Sequence, residues 1–357
     1  MTGRRAAATA AGKAASSASS STSSATSSTS SATSSTSSAT SSAARSGPAR
    51  TYRVVWNPQA GSKPVGPSGS PDRPALLDLL ARHGLKAEIV ETGSEDAGRD
   101  AVRDAVADGI DVVVAAGGDG TIGPVVAELL HRPTALGVLP LGSVMNVARM
   151  LGLPHELEAA AGVLATAPIR RVDVGMARGR PFLEAGSVGM NAAMFREAQR
   201  FDDGDWLSIL RTVWVAIRYR PARMELGLDA DAIRTRALMV AVANGAYTGA
   251  GMTIAPDAVL DDGLFDVRVF RGFSKLELLR HLASIAFGRR RYAPHVSTYR
   301  SARVAVTGAR PLPCRADSRD LGTTPIEFQV VPGALRVVAP ADQGAPPGST
   351  PRNASRA

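Results

Sequence analysis

The sequence predicts an α/β fold: an N-terminal doubly wound parallel-sheet domain followed by a C-terminal β-sandwich domain. Three observations lead there. Asp111–Ala116 (DVVVAA) and Ala135–Leu141 (ALGVLPL) are continuous apolar runs, the pattern of parallel strands buried on both faces. They alternate with stretches of helical character, and strand–helix alternation implies a parallel sheet. After Pro168 the alternation stops and short strand-like runs dominate.

In chain order, residues 1–50 form a Ser/Thr/Ala tail in which SSATSST recurs from Ser23 and from Ser30. No position of that unit carries a large apolar side chain, so it is no coiled coil. Such a segment buries too little surface to offset its chain entropy and is expected to be disordered, as are residues 341–357. The first domain spans residues 51–168. Arg53–Trp56 reads as a strand and Asn57–Gly61 as a turn, followed by a Gly/Pro/Ser-rich loop to Pro74. A helix from Ala75 to Arg82, a strand at Ala87–Glu91 and a helix at Ala97–Ala107 precede the first buried run. Gly117–Thr121 is a glycine turn, and Val125–Leu130 a helix.

The second domain spans residues 169–340. Its strand-like runs are Arg171–Met176, Leu238–Ala243, Leu264–Phe270, Arg303–Thr307, Ile326–Val331 and Ala334–Val338. Helical stretches interrupt them near Trp206–Tyr219 and Lys275–Phe287.

Composition excludes several classes. A single cysteine, Cys314, rules out an internal disulfide and suits a reducing compartment. Five of the nine net positive charges fall within residues 1–50, which contain no acid. The surplus on the rest is small and comes without interleaved aromatics or a helix-turn-helix pattern, so nucleic acid is not an expected partner. No apolar run reaches the roughly 18 residues that span a bilayer. The N-terminus lacks the apolar region of a signal peptide. A cytoplasmic location is expected. The five histidines, His83, His131, His155, His281 and His295, show no metal-ligand spacing.

The strongest motif is Gly117-Gly118-Asp119-Gly120-Thr121, between a buried strand and a helix. At the carboxyl end of a parallel strand, glycines admit a ligand close to the backbone. Free N–H groups at the helix start bind phosphate. Asp119 is suited to hold Mg²⁺ or to accept a proton from an attacking hydroxyl. An ordinary strand–helix turn with a capping Asp is the plainer alternative.

The string is similar to the GGDGT signature shared by diacylglycerol kinases, sphingosine kinases and, more distantly, NAD kinases and phosphofructokinases. Five further blocks, in order, are similar to the lipid-kinase branch. They are Asn57–Gly61 (NPxxG), Leu139–Ser143 with Ala148-Arg149 and Gly152–Pro154 (PLGT–N–AR–LGLP), Ala185–Gly189, Asn244-Gly245, and Pro256–Ala258 with Asp261–Val267 (P-x-A…DDG-L-D-V). The chain thus resembles the diacylglycerol-kinase/sphingosine-kinase family from about Tyr52 to Pro340. The resemblance implies ATP in the cleft between the two domains, transfer of its γ-phosphate to a lipid hydroxyl, and diacylglycerol as the first acceptor. Asn57, Pro58, Gln59, Ala60, Gly61, Thr92, Gly117, Gly118, Gly120, Thr121 and Ser143 would line the nucleotide. Asp119 would act through Mg²⁺, and Asp262 in the DDG turn would hold a structural cation unless it is a plain Asp-Gly turn. The lipid would be met from the water side, with peripheral contact at the inner membrane face.

Three positions depart from the family pattern. Met145 stands where an Asn is usual, with Asn146 one place later, and Pro124 replaces a common Glu. In the late DGE motif, which supplies a proton-accepting carboxylate in many members, Asp317 is kept, Ser318 replaces Gly and Arg319 replaces Glu. Arginine cannot act as a general base. Either Asp317 or Asp119 takes over, or the protein is a pseudokinase that binds nucleotide or lipid as a regulatory module. Around Asp205–Tyr219, Trp206, Leu210, Val213, Trp214 and Ile217 form one stripe, with Arg211, Arg218 and Arg220 outside it. The stripe suits packing on the sandwich or, alternatively, a membrane interface. Arg289–Tyr292 reads as head-group contact or a solvated run.

Overall fold

A computed structural model describes residues 50–58, 71–198, 212, 214–229, 231–249, 251–272 and 296–341. Both tails, Gln59–Gly61, Trp206–Arg211, Val213, Lys275–Phe287 and Arg289–Tyr292 lie outside the described residues.

The first half is an α/β unit. It runs β1 (Tyr52–Trp56), α1 (Arg73–Arg82), β2 (Ala87–Glu91), α2 (Glu95–Ala107), β3 (Val112–Gly117), α3 (Asp119–Leu129) and β4 (Ala135–Pro140), then α4 (Asn146–Met150) and α5 (Leu157–Thr166). The strands pair in parallel in the order β2-β1-β3-β4. Every residue of β3 and β4 is buried, as their unbroken apolar runs require. Helices on the two faces close two cores. Val102, Ile122 and Val126 lie on one side, and Leu76, Leu80 and Leu164 on the other. The helix starts carry their own signals: Asp72 accepts the Ala75 N–H at 2.9 Å and Ser94 the Ala97 N–H at 3.2 Å.

Three helix starts differ from the sequence reading: α1 begins at Arg73 rather than Ala75 and α2 at Glu95 rather than Ala97, and the third shift is larger. The helix after the glycine turn starts at Asp119, not Val125, with Gly118 as its cap and Pro124 inside it. The Thr121 and Ile122 N–H groups already donate to the Gly118 carbonyl, at 2.9 and 3.2 Å. Three of the five residues of GGDGT are therefore helix. Its glycines disguise this, because glycine has poor helix propensity.

The second half contains β5 (Ile169–Ala177), β6 (Arg180–Phe182), β7 (Ala185–Gly189), α6 (Met190–Ala198), β8 (Ala222–Leu228), β9 (Asp231–Ala237), β10 (Met239–Ala243), β11 (Tyr247–Thr248) and β12 (Met252–Thr253). It ends with β13 (Phe265–Phe270), β14 (Val296–Ser301), β15 (Arg303–Gly308), β16 (Pro313–Ala316), β17 (Arg319–Thr323) and β18 (Ile326–Val338). One sandwich sheet is antiparallel, ordered β14-β13-β10-β7-β16-β17. The other is not separate from the first half: β18 lies beside β4, Val337 opposite Leu136, and continues the parallel sheet into β15, β8 and β9, with β5 also along β18. The runs Ile326–Val331 and Ala334–Val338 are thus one strand. Its register shifts between Val331 and Leu335, where Gly333 adopts φ +57° and its N–H donates to Asp173 Oδ1 at 2.8 Å. That irregularity bends the strand from sandwich into α/β sheet.

The sandwich core interleaves Met224, Leu226, Val304, Val306 and Phe328 of one sheet with Val188, Val240, Val242, Phe265 and Val267 of the other. Phe182 stacks on Phe265 at 5.6 Å and meets Phe328 edge-on at 6.0 Å. Gly186 admits the Phe328 ring, which a Cβ there would overlap. Phe328→Ala is expected to destabilise the protein by about 3–5 kcal/mol in denaturant unfolding. A loss below ~1 kcal/mol would show that the two sheets do not depend on this ring.

Candidate active site

The carboxyl ends of β1 to β4 open on one edge of the parallel sheet, and the predicted nucleotide residues that are described gather there. Asn57 follows β1, its N–H donating to the Ala116 carbonyl at 3.1 Å. Pro58 comes next and is half-buried. Thr92, after β2, is buried. Its N–H and hydroxyl both donate to the Trp56 carbonyl, at 2.8 and 3.3 Å, so it ties the ends of β1 and β2 together. Gly117 and Gly118 follow β3, and the Ser143 loop follows β4. These two loops press on each other: a Cβ on Gly142 would stand 2.8 Å from Gly118 Cα. Gly120 and Ser143 are exposed, and Thr121 is half-exposed beneath Gly117. Backbone rather than side chains makes this edge, as close approach to a phosphate requires.

Asp119 turns across from this edge to α4. Its Oδ2 accepts the Asn146 N–H at 3.1 Å and its Oδ1 the Val147 N–H at 3.2 Å. Met145 makes this possible by adopting a left-handed conformation, φ 51° and ψ 50°, with its side chain buried in the core. The shift of Asn by one place relative to the family pattern thus has a physical outcome. Met145 fills the core and Asn146 faces the second half of the molecule.

There α4 docks on the turn after β10. Asn146 Nδ2 donates to the Gly249 carbonyl at 2.7 Å, Arg149 Nη1 to the Gly251 carbonyl at 3.4 Å, and the Arg149 guanidinium lies 4.0 Å from the Tyr247 ring centre. Gly245 is the contact point for Met150, whose sulfur a Cβ would overlap. Asn244 stitches the sandwich side, its Nδ2 donating to the Asp173 and Leu183 carbonyls, both at 3.1 Å. The Asn-Gly pair is therefore a joint between the two halves.

Across the joint sit two more acids. Asp317, at φ 45° between β16 and β17, accepts the N–H groups of Leu183, Glu184 and Ala185 at 2.9, 3.0 and 3.2 Å. Both its oxygens are engaged in fixing the bend between β6 and β7. That bend carries Glu184, 7% exposed, whose Oε2 accepts the Gly249 N–H at 3.2 Å. Sequence reading did not single out Glu184. Its signal was a lone acid in the apolar run Phe182–Gly189, and a buried acid in such a run needs a reason.

The three carboxyls share one poorly hydrated crease. Burial pushes Glu184 up to about 8, helped by the negative charges of Asp317 and Asp119 and opposed by Asn146 and the Gly249 N–H. Burial also raises Asp119, against the N–H groups of Val147, Asn146 and Met145. Asp317 is raised by burial, against its three N–H donors and Arg315. Arg315, buried on β16, donates to the Asp317 carbonyl and lies 4.1 Å from the Phe195 ring centre.

Arg319 leaves this crease. Its guanidinium pairs with Glu95 at the start of α2, and holds that carboxyl below the usual carboxylate range. Asp262 accepts the Leu264 N–H at 3.1 Å and pairs with Arg300, so a cation there would compete with a guanidinium. Among the described residues, no group of three or more His, Cys, Asp or Glu side chains is placed to hold a metal ion. Mg²⁺ characteristically takes one or two carboxylates and completes its shell with phosphates and water. Asp119 at the edge of the glycine loops fits that mode.

Of the predicted helix ending at Tyr219, residues 212 and 214–218 are helical among those described. The buried side chain there is Ala216, whereas Trp214 is 57% and Ile217 45% exposed, with Arg218 lying 4.6 Å from the Trp214 ring centre. Among the described residues, no helix is long and apolar enough to cross a membrane.

Comparisons with known proteins converge on one family. Residues 51–177 match the diacylglycerol kinase catalytic domain, and residues 187–339 the YegS C-terminal NAD kinase beta sandwich-like domain. A Chromohalobacter salexigens protein named "Probable lipid kinase YegS-like" is 31% identical over 241 residues, 65% of this chain and 77% of that one. The Bacillus subtilis protein named "Diacylglycerol kinase" is 28% identical over 240 residues, covering 65% and 79%. The crystal structure of a diacylglycerol kinase from Bacillus anthracis superposes with a TM-score of 0.63 at 17% identity, over 82% of this chain and 97% of that one, and so shares the fold. With both halves of the catalytic module matched in order, and the parallel sheet, glycine edge and sandwich in place, the chain belongs to the diacylglycerol kinase-like family of lipid kinases.

Proposed function

We propose that the protein transfers the γ-phosphate of ATP to the hydroxyl of a lipid alcohol, with diacylglycerol as the first acceptor. The observation that carries this reading is the backbone-lined edge at Gly117–Thr121 and Gly142-Ser143, facing a crease that holds three carboxyls. Phosphoryl transfer depends mainly on positioning and on neutralising charge. The exposed Gly120 and Ser143 leave room for phosphates against the loops, and the base and ribose would extend toward Asn57. Mg²⁺, when bound, would neutralise charge on the phosphates, and Asp119 is the residue that would hold it. The family resemblance and the relatives named as diacylglycerol kinases support the choice of acceptor.

The acceptor sits in a bilayer, so the protein must meet one. Trp214 and Ile217 are exposed beside Arg218 and Arg220, the combination that inserts apolar surface under anionic head groups.

The direct test is transfer of labelled γ-phosphate from ATP to a panel of lipid alcohols in mixed micelles. Asp119→Asn is expected to lower turnover at least ~100-fold, the usual scale for a charge-stabilising group. Retained ATP binding without transfer to any lipid by the unaltered protein would instead support the nucleotide-binding regulatory reading. In vesicle sedimentation, Trp214→Ala is expected to lower partition onto anionic vesicles several-fold, as loss of one buried indole implies. Unchanged partition would remove this helix from the membrane contact.

A further inference from the structure

We infer that Glu184 is the proton acceptor for the attacking lipid hydroxyl, a role for which Arg319 is unavailable. The inference rests on the lipid-kinase reading above. Three observations of geometry lead to it.

First, the other two acids of the crease have other work. Asp119 meets the α4 N–H groups and is the residue that would hold Mg²⁺, and Asp317 spends both oxygens on the 183–185 bend. Arg319 is paired with Glu95 outside the crease. Second, Glu184 stands where the two halves meet, and it is anchored without being saturated. Its backbone carbonyl accepts the Asn244 and Gly245 N–H groups, both at 3.0 Å, and its backbone N–H binds Asp317. Only Oε2 takes a backbone N–H, that of Gly249. A carboxylate held rigidly by its main chain, with an oxygen left over, meets the geometric need of a general base.

Third, Asn146, 1% exposed, presents its amide to the Glu184 carboxyl and favours the ionised form, the form that accepts a proton. The bond from Nδ2 to the Gly249 carbonyl fixes that amide, since a flip would set two carbonyl oxygens against each other.

In the resulting step the lipid O–H gives its proton to the Glu184 carboxylate while the lipid oxygen bonds to the γ-phosphorus. The bond from that phosphorus to the β,γ-bridging oxygen breaks, and ADP leaves with the electron pair. Glu184 then returns its proton to solvent. The charged groups facing Glu184 are Asp119 from α3, Asp317 from the β16–β17 turn and Arg315 from β16, with the Asn146 amide from α4. Burial and these acids raise the carboxyl to about 8, so the accepting carboxylate form, and turnover with it, are expected to increase as pH rises through that value.

The test compares the unaltered protein with Glu184→Gln, which keeps the acceptor for Gly249. Turnover of lipid is expected to fall at least ~100-fold, within the usual range for loss of general base catalysis, with ATP affinity by calorimetry and lipid KM unchanged within a few-fold. Turnover near that of the unaltered protein, or a loss that follows weakened ATP binding, overturns the assignment. If the unaltered protein phosphorylates no lipid at all, the lipid-kinase reading fails first and the assignment falls with it.

A second readout needs no activity. Glu184 binds its proton more tightly folded, near 8, than unfolded, in the ordinary carboxylate range. Its contribution to stability is therefore full in acid and is lost as pH rises through the folded value. In the nucleotide-free protein, the melting temperatures of the two forms should match near pH 5 and diverge in favour of Glu184→Gln toward about pH 9. Parallel curves would show that Glu184 does not gain its charge in a buried site, and would overturn the assignment.

Discussion

Gathering three carboxyl groups, one buried and two half-buried, at one crease is the constraint around which the rest of this structure is arranged. Removing ionised carboxylates from water is costly, and bringing like charges together adds to the cost. Here the compensation is almost wholly backbone. Two N–H groups of α4 meet Asp119, three from the 183–185 bend meet Asp317, and Gly249 N–H meets Glu184. Each donor is held by an element of the fold, so the crease is set by chain path rather than by flexible side chains. Arg315, the one buried arginine among the described residues, offsets part of the charge. What remains is negative, the environment in which a metal-bound phosphate chain would be welcome.

The chain path that achieves this depends on two joints. One is α4, five residues long, which caps Asp119 on one side and reaches Gly249, Gly251 and Tyr247 on the other. The second is β18, which starts in the sandwich and ends beside β4. Because the β18 backbone belongs to both layers, the carboxyl edge of the parallel sheet and the sandwich share one hydrogen-bonded frame. Asp173 of β5, beside the bend of that strand, binds both Gly333 and Gly263 N–H groups and so fastens the DDG turn to the same frame. In a lipid kinase this rigidity has a clear use, since a misplacement of about 1 Å at the reacting centre can cost ~100-fold in rate.

Much of the fold was legible because it rests on local pattern. Buried parallel strands announce themselves as unbroken apolar runs, and β2 was read to the residue. The glycine edge was legible from the glycines themselves, though the start of α3 was not. What escaped was set by contacts distant in sequence. Nothing near Glu184 indicates that Gly249 and Asp317 will close over it, and nothing near Arg319 indicates Glu95, some 224 residues away. The continuity of β18 was hidden by Pro332-Gly333, which locally reads as a break. Thr92, chosen by resemblance as a nucleotide contact, proves to be buried and bonded to Trp56, a link that only the parallel register of β1 and β2 creates.

The most direct measurement of the crease is infrared difference spectroscopy on the nucleotide-free protein, following the carbonyl stretch of a protonated carboxylic acid as pH is raised. A buried acid band should persist between about pH 7 and 8, vanish as the solution passes about pH 8, and be missing from Glu184→Gln in that range. A neutral-pH spectrum with no protonated carboxyl, or a neutral-pH band that survives in Glu184→Gln, would contradict the claim that Glu184 is a buried acid raised by its site and by the nearby charges of Asp317 and Asp119.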